Sequence, residues 1–213
     1  DINGIGKGII SRIDEIIQTK KLAEVDKTEI VGIKKEMDLI TELSQVINIG
    51  SKVAKQLIEK HNIKSIVELK KKVKEEKIEV NDKIKMGLKY HGIIQVKIPR
   101  KEIDSYNEIL QLLIKTIDKN LNLIIAGSYR RCKEVSNDID ILITHTEIKT
   151  NKDYSKIDTN YLFETISLLK SKNIIIDDLT DTDNGTKYMG FCKLPRKKVR
   201  RIDIRFVPFE YYS

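Results

Sequence analysis

Apolar residues recur at helical spacing through the first half of the chain and switch to alternating or continuous runs in much of the second. Two Gly-rich turns near the N-terminus each open a helical stretch. One is Gly4-Ile5-Gly6-Lys7-Gly8-Ile9, followed by Ile13; the other is Asn48-Ile49-Gly50-Ser51-Lys52-Val53, followed by Leu57. Their likeness reads as an internal repeat. Residues 34–46 place Met37, Ile40 and Leu43 or Ser44 on one face, which predicts a helix ahead of the second turn. The run Lys-Lys-Lys-Val-Lys-Glu-Glu-Lys over 70–77 suits a solvated helix face or a loop. Pro99 disfavours helix at Ile98, and a domain boundary is expected there. A helical stripe follows over 101–119, formed by Ile103, Tyr106, Ile109, Leu110, Leu113, Ile114 and Ile117.

Beyond this helix the period shortens. Leu123-Ile124-Ile125-Ala126 runs into Gly127-Ser128 and predicts a strand ending in a turn. Ile139, Ile141 and Ile143 fall on one side of 138–144, and residues 160–172 return to helical spacing. Residues 174–176, 188–194 and 199–207 read as strands, the last two joined through Pro195-Arg196-Lys197-Lys198. The expected class is α+β, with a helical N-terminal half and then a mixed β-sheet with flanking helices.

The alternation gives Asp138-Ile139-Asp140 a chemical reading. Side chains two apart on a strand share a face, so the two carboxylates stand together while the isoleucines point into the core. Carboxylates that close repel unless a cation lies between them, and magnesium prefers hard oxygen ligands. In Arg201-Ile202-Asp203-Ile204-Arg205 the third carboxylate again lies opposite a buried Ile/Phe face. If the two strands pair, three carboxylates can bind two divalent ions for in-line phosphoryl displacement. The competing reading pairs Asp203 with its flanking arginines and makes Asp-x-Asp an ordinary strand end. Ten residues upstream, Gly127-Ser128-Tyr129-Arg130-Arg131 could present backbone N–H groups, a hydroxyl and two guanidinium groups to a phosphate. An ordinary turn with solvated arginines is the alternative.

Composition narrows the setting. The 213 residues allow one large domain or two small ones, and 40% hydrophobic with 34% charged residues is a globular balance. No run of 18 apolar residues occurs, so no transmembrane helix is expected, and the N-terminus lacks signal-peptide character. Cys132 and Cys192 have no metal-ligand spacing; they read as reduced thiols of an intracellular protein, without structural zinc. Forty basic against 32 acidic residues give a net charge of +8, which favours a polyanionic partner such as nucleic acid but also fits a generic basic protein.

Taken in order, Gly127-Ser128-Tyr129-Arg130-Arg131, Asp138-Ile139-Asp140-Ile141-Leu142 and Arg200-Arg201-Ile202-Asp203-Ile204-Arg205 resemble the family X DNA polymerases. Met86-Gly87-Leu88-Lys89-Tyr90 and Gly185-Thr186-Lys187-Tyr188-Met189-Gly190 extend the resemblance over nearly the whole chain. It implies a remainder of an N-terminal, lyase-like helical domain over 1–30, a helical DNA-binding subdomain over 31–97 and a catalytic palm over 98–213, with a helix-hairpin-helix motif in each of the first two. It implies DNA-directed DNA synthesis of the gap-filling, base-excision-repair type; template-independent addition and a non-catalytic DNA-binding module are the alternatives. Asp138 and Asp140 would bind both of two Mg2+ ions (Mn2+ could substitute), and Asp203 the one that activates the primer 3′-hydroxyl. Gly127, Ser128, Arg131, Ser136, Asn137, Asp138 and Lys97 would hold the deoxynucleoside triphosphate. Gly4, Gly6, Gly8, Arg12, Asn48, Gly50, Lys52, Lys187 and Arg201 would contact gapped or primer-template DNA. A monovalent cation could sit on the backbone carbonyls of Ile2 and Ile5, and of Ser44, Val46 and Ile49. A monomer is expected, nuclear in a eukaryotic cell, or cytoplasmic or virion-associated if viral.

The chain departs from the family pattern at several positions. Asn137 and Cys132 replace commonly found glycines in the palm, and Asn48 replaces the first glycine of the second hairpin. Arg12 occupies the position at which some members carry a Schiff-base lysine for removal of 5′-deoxyribose phosphate, with Gly8 one turn earlier, so that lyase activity is expected to be weak or absent. The chain opens on a hairpin-like motif and ends on Glu210-Tyr211-Tyr212-Ser213 as if cut mid-fold, so a fragment lacking a nucleotide-closing subdomain is expected.

Overall fold

The computed structural model describes residues 6–20, 22–23, 29–180 and 185–212. The chain divides into two compact units, 1–89 and 90–213.

The first unit is helical. It comprises α1 (Lys7–Thr19), α2 (Glu29–Leu43), α3 (Ser51–His61), α4 (Ile66–Lys74) and α5 (Asp82–Tyr90), whose last residue falls in the second unit. Helix α2 stops before the predicted 46 because Gln45 N–H and Val46 N–H bond three residues back, to Glu42 and Leu43 carbonyls, tightening the chain into a turn. Helix α4 is capped by Ser65, whose hydroxyl accepts from Glu68 N–H at 3.1 Å. Leu43, Val46, Ile49, Leu57, Ile66 and Leu69 are among the residues of its core. Gly87 meets the α2–α3 turn so closely that an added Cβ would lie 2.1 Å from the Ile47 carbonyl oxygen.

The second unit begins with β1 (Ile98–Pro99) and α6 (Arg100–Ile114), then β2 (Leu121–Ile125), the short α7 (Gly127–Arg130), β3 (Val135–Ser136), β4 (Ile139–His145), α8 (Asn151–Tyr154), α9 (Tyr161–Ser171), β5 (Ile175–Asp178), β6 (Lys187–Cys192) and β7 (Arg200–Phe206), with a 3-10 turn at Phe209–Tyr211. Helix α6 ends short of the predicted 119. Asp118 accepts from Asn120 N–H at 2.7 Å, a local turn that diverts the backbone into β2. Five strands form one sheet in the order β2-β4-β7-β6-β5, with β4 and β7 parallel and the other neighbours antiparallel. Strands β1 and β3 make a separate two-stranded ribbon. Ile139, Ile141, Ile143, Ile202, Ile204 and Phe206 share one buried cluster with Ile103, Tyr106 and Leu110 of α6 and Leu162, Ile166 and Leu169 of α9. Alternation therefore leaves Asp140, Arg201, Asp203 and Arg205 on the other face of the central strands. Among the described residues no helix is long and apolar enough to cross a membrane.

Candidate active site

The parallel pairing of β4 and β7 sets Ile139 opposite Ile202, Asp140 opposite Asp203 and Ile141 opposite Ile204. The isoleucines bury on one face, so the two aspartates must stand side by side on the other, one ladder spacing apart. Asp138 joins them from the residue before β4. Carboxylate oxygens of Asp138, Asp140 and Asp203 lie within 4.8 Å of one another, and among the described residues this is the one such acidic or metal-ligating cluster.

Electrostatics follow from that crowding. Burial raises the Asp140 carboxyl above its usual range, and the neighbouring Asp138 charge adds to the rise, against Arg201 and Arg131. Burial is also the main cause of the raised Asp203 carboxyl; Asp138 and Asp140 push the same way, and Arg201 and Lys187 oppose them. Arg201 Nη2 donates to Asp203 at 3.1 Å and also to Asp138. The arginine-pairing alternative for Asp203 is thus realised together with the carboxylate cluster. Even so, Asp203 Oδ1 is buried without a hydrogen-bond partner. An orphaned carboxylate oxygen among three hard oxygen donors fits a divalent cation such as magnesium.

The Gly127 turn abuts this cluster. Gly127 has φ +55°, and an added Cβ would lie 1.7 Å from Asp140 Oδ2. Only glycine lets the loop and the carboxylate approach so closely. Ser128 Oγ donates to Ser136 Oγ at 2.7 Å, which ties the turn to β3 and to Asn137 and Asp138 beyond it. Arg131, exposed, ends α7. Lys97 Nζ donates to Asn137 Oδ1, and a cavity of about 270 Å³ lies among Ile94, Gln95, Asn137, Asp138 and Arg201. A second, of about 330 Å³, is lined by Gly127, Asp140, Lys187, Asp203 and Arg205 among others. The sequence marks Arg205 as a neighbour of Asp203 on the same strand face but gives it no site role; the structure puts it in the lining of this cavity.

The palm departures have different costs. Asn137 is not among the positive-φ residues, so glycine is not required there, whereas Cys132 sits at φ +58° and carries the strain of a side chain in the left-handed region. Asn48, in the first unit, has φ +67° and donates from Nδ2 to the Lys83 carbonyl at 3.0 Å. Asn tolerates this region, and here its amide also ties the turn to α5.

Other expected site residues belong to the first unit. Gly6 is the N-cap of α1, and exposed Gly8 and Arg12 lie on that helix. Gly50 is the N-cap of α3 with no side-chain cap, and exposed Lys52 follows in the first turn. Val46 O accepts from Ile49 N–H at 3.0 Å, and Ser44 continues directly from α2. Ile2, Gly4 and Ile5 lie outside the described residues.

Residues 97–209 match the family model described as DNA polymerase beta palm. The chain belongs to the family X DNA polymerases. Among its relatives, a protein named DNA polymerase lambda from Arabidopsis thaliana is 30% identical over 99% of this chain and 38% of its own length. A DNA polymerase lambda from Rattus norvegicus is 23% identical over 100% of this chain and 35% of its own. A DNA nucleotidylexotransferase from Xenopus laevis is 23% identical over 97% and 44%. This family X chain thus spans well under half the length of these relatives.

Proposed function

We propose that this chain is the catalytic portion of a gap-filling, DNA-directed DNA polymerase. The observation that carries the reading is the register of Asp140 with Asp203 on parallel strands, with Asp138 beside them and the Gly127 turn against them. Asp138 and Asp140 would hold two divalent ions and Asp203 one of them; when bound, these ions neutralise charge on the reacting phosphate and acidify the primer 3′-hydroxyl. The protein's own part is positioning. Ser128, Ser136, Asn137, Arg131 and Lys97, with the backbone of Gly127, would orient a deoxynucleoside triphosphate. Arg201 and Lys187 would orient DNA phosphates.

The α2–turn–α3 segment would act as a helix-hairpin-helix contact to a DNA phosphate. The uncapped start of α3 leaves N–H groups for an anion, nothing lies within 4 Å of a Cβ at Gly50, and Lys52 adds charge. A monovalent cation would share the Ser44, Val46 and Ile49 carbonyls, and the first hairpin would act alike. Such contacts read the backbone, so affinity is independent of base sequence and steeply salt-dependent. Arg12 would keep a phosphate contact without covalent lyase chemistry.

The test is extension of a primer by the full-length protein with magnesium, on gapped DNA and on the same primer without a template strand. Extension on gapped DNA alone supports the reading. Equal extension without a template would favour terminal addition, and none on either substrate would favour a non-catalytic DNA-binding module.

A further inference from the structure

Arg200 is an arginine with only 4% of its side chain exposed, on the core face of β7, so it faces away from the carboxylates. A buried guanidinium is tolerable only if its donors are paired. Nε and Nη2 donate to Glu102 Oε1 and Oε2 at 2.8 and 2.9 Å, a two-pronged contact with the first turn of α6. Nη1 donates to the Val96 carbonyl at 2.8 Å and to the Lys97 carbonyl at 3.4 Å. One side chain thus binds β7, α6 and the segment leading into β1.

The same segment is held on its other side. Ile98 pairs with Ser136 in the β1–β3 ribbon, and Arg100 N–H donates to the Glu134 carbonyl at 2.9 Å. Lys97 lies between these anchors. Its backbone is fixed while its side chain is exposed and reaches Asn137, beside Asp138 and the cavity that Arg201 lines. A lysine is a flexible point charge, so where its ammonium can reach depends on where its backbone is held.

We propose that Arg200 and Glu102 form a positioning pair that sets the affinity for the incoming nucleotide from behind the sheet, by holding the Val96–Lys97 backbone where the Lys97 ammonium meets the triphosphate. This rests on the functional reading above, in which Lys97 touches the nucleotide. Neither member of the pair touches the substrate. Arg200→Lys keeps the charge and loses the fork; Glu102→Gln keeps the shape and loses the charge.

The experiment measures equilibrium binding of the correct deoxynucleoside triphosphate to the full-length protein on gapped DNA with a dideoxy-terminated primer. Lys97→Ala and Arg200→Lys should each weaken nucleotide binding by about tenfold, and the double variant should be no weaker than Lys97→Ala within about twofold, because the two act through one contact. Gapped-DNA affinity should stay within about twofold of the unmodified protein. Glu102→Gln should reproduce the same cycle and carries the test if Arg200→Lys does not fold. Additive losses, unchanged nucleotide affinity in both pair variants, or an equal loss of DNA affinity would overturn the positioning role. If the unmodified protein does not extend a primer on gapped DNA, the functional reading itself falls, and this one with it.

Discussion

Arg201 Nη2 donates to Asp203 Oδ2 at 3.1 Å and leaves the other oxygen of the same carboxylate buried and unpartnered. The guanidinium, bonded to Asp138 as well, stands in part for the positive charge the cluster needs. It should therefore compete with a divalent ion. Arg201→Ala is expected to tighten Mn2+ binding to the DNA-free protein by about two- to fivefold, the scale of a partly exposed ion pair. Titration by electron paramagnetic resonance measures it, and weaker binding would show that Arg201 organises the site instead of competing for it. Asp203→Ala should lower primer extension by at least about a hundredfold while leaving gapped-DNA affinity largely intact.

The raised carboxyls make a stability prediction with a definite sign. Asp140 has a folded-state value above its ordinary 3.8, because of burial and then of Asp138. Such a group favours the folded state at low pH, and that contribution is lost as pH rises through the folded value. At neutral pH, without divalent ions, the ionised carboxylate is a cost. Asp140→Asn should therefore melt at a higher temperature than the unmodified protein at pH 7 in chelator, and the difference should shrink as pH falls toward 3.8. Magnesium should raise the melting temperature of the unmodified protein more than that of the variant. A variant less stable at pH 7 in chelator would refute this account.

Gly127 tests the closeness of turn and carboxylate. A methyl group 1.7 Å from Asp140 Oδ2, at a residue with φ +55°, must displace one of them. Gly127→Ala should lower kcat/KM for nucleotide addition by about a hundredfold or more, the cost of misplacing a reacting group by about 1 Å. Steady-state extension on gapped DNA measures it; a loss below about fivefold would mean that the two need not touch.

In the first unit the corresponding position is Gly87, where a Cβ would meet the Ile47 carbonyl at 2.1 Å. Gly87→Ala should destabilise the unit by about 1–3 kcal/mol through overpacking and should weaken DNA binding more than nucleotide binding. Denaturant melts and fluorescence anisotropy read the two effects separately.

Much of this was legible in the sequence. Period alone separated the helical half from the sheet, and the Asp138-Ile139-Asp140 alternation put two carboxylates on one face without knowledge of the partner strand. What the sequence could not supply was that β4 and β7 are parallel neighbours, because their pairing crosses 60-odd residues and no local signal sets it. Nor could it distinguish a metal ligand from an arginine partner at Asp203, since the site realises the arginine contact and leaves an oxygen over. Arg200 and Glu102 were hidden for another reason: each looks like a solvated residue in its own segment, and only the packing of α6 on β7 buries them together. Helix ends were missed where a side chain closes the turn, as Asp118 does after α6.

Covalent lyase chemistry is an activity this chain is expected to lack. Removal of a 5′-deoxyribose phosphate through a Schiff base needs an amine that can be neutral near pH 7, which a lysine can supply and an arginine cannot. In the reading proposed above, the counterpart of that lysine is Arg12, exposed on α1, and Gly8 one turn earlier would leave its supporting position without a side-chain charge. Arginine still suits a phosphate, which it can bind through two parallel N–H groups. Binding and covalent chemistry should therefore separate. On DNA carrying an incised abasic site, borohydride should trap little or no adduct on the protein, while Arg12→Ala should weaken affinity for the 5′-phosphate side of a gap. Arg12→Lys is the sharper variant, because it alone restores an amine at the position: some trapping should appear if the surroundings still favour a neutral lysine, and none if the loss extends beyond that residue. Strong trapping by the unmodified protein would refute the prediction, and an adduct mapped to Lys7, the first residue of α1, would show that a neighbouring amine does the work.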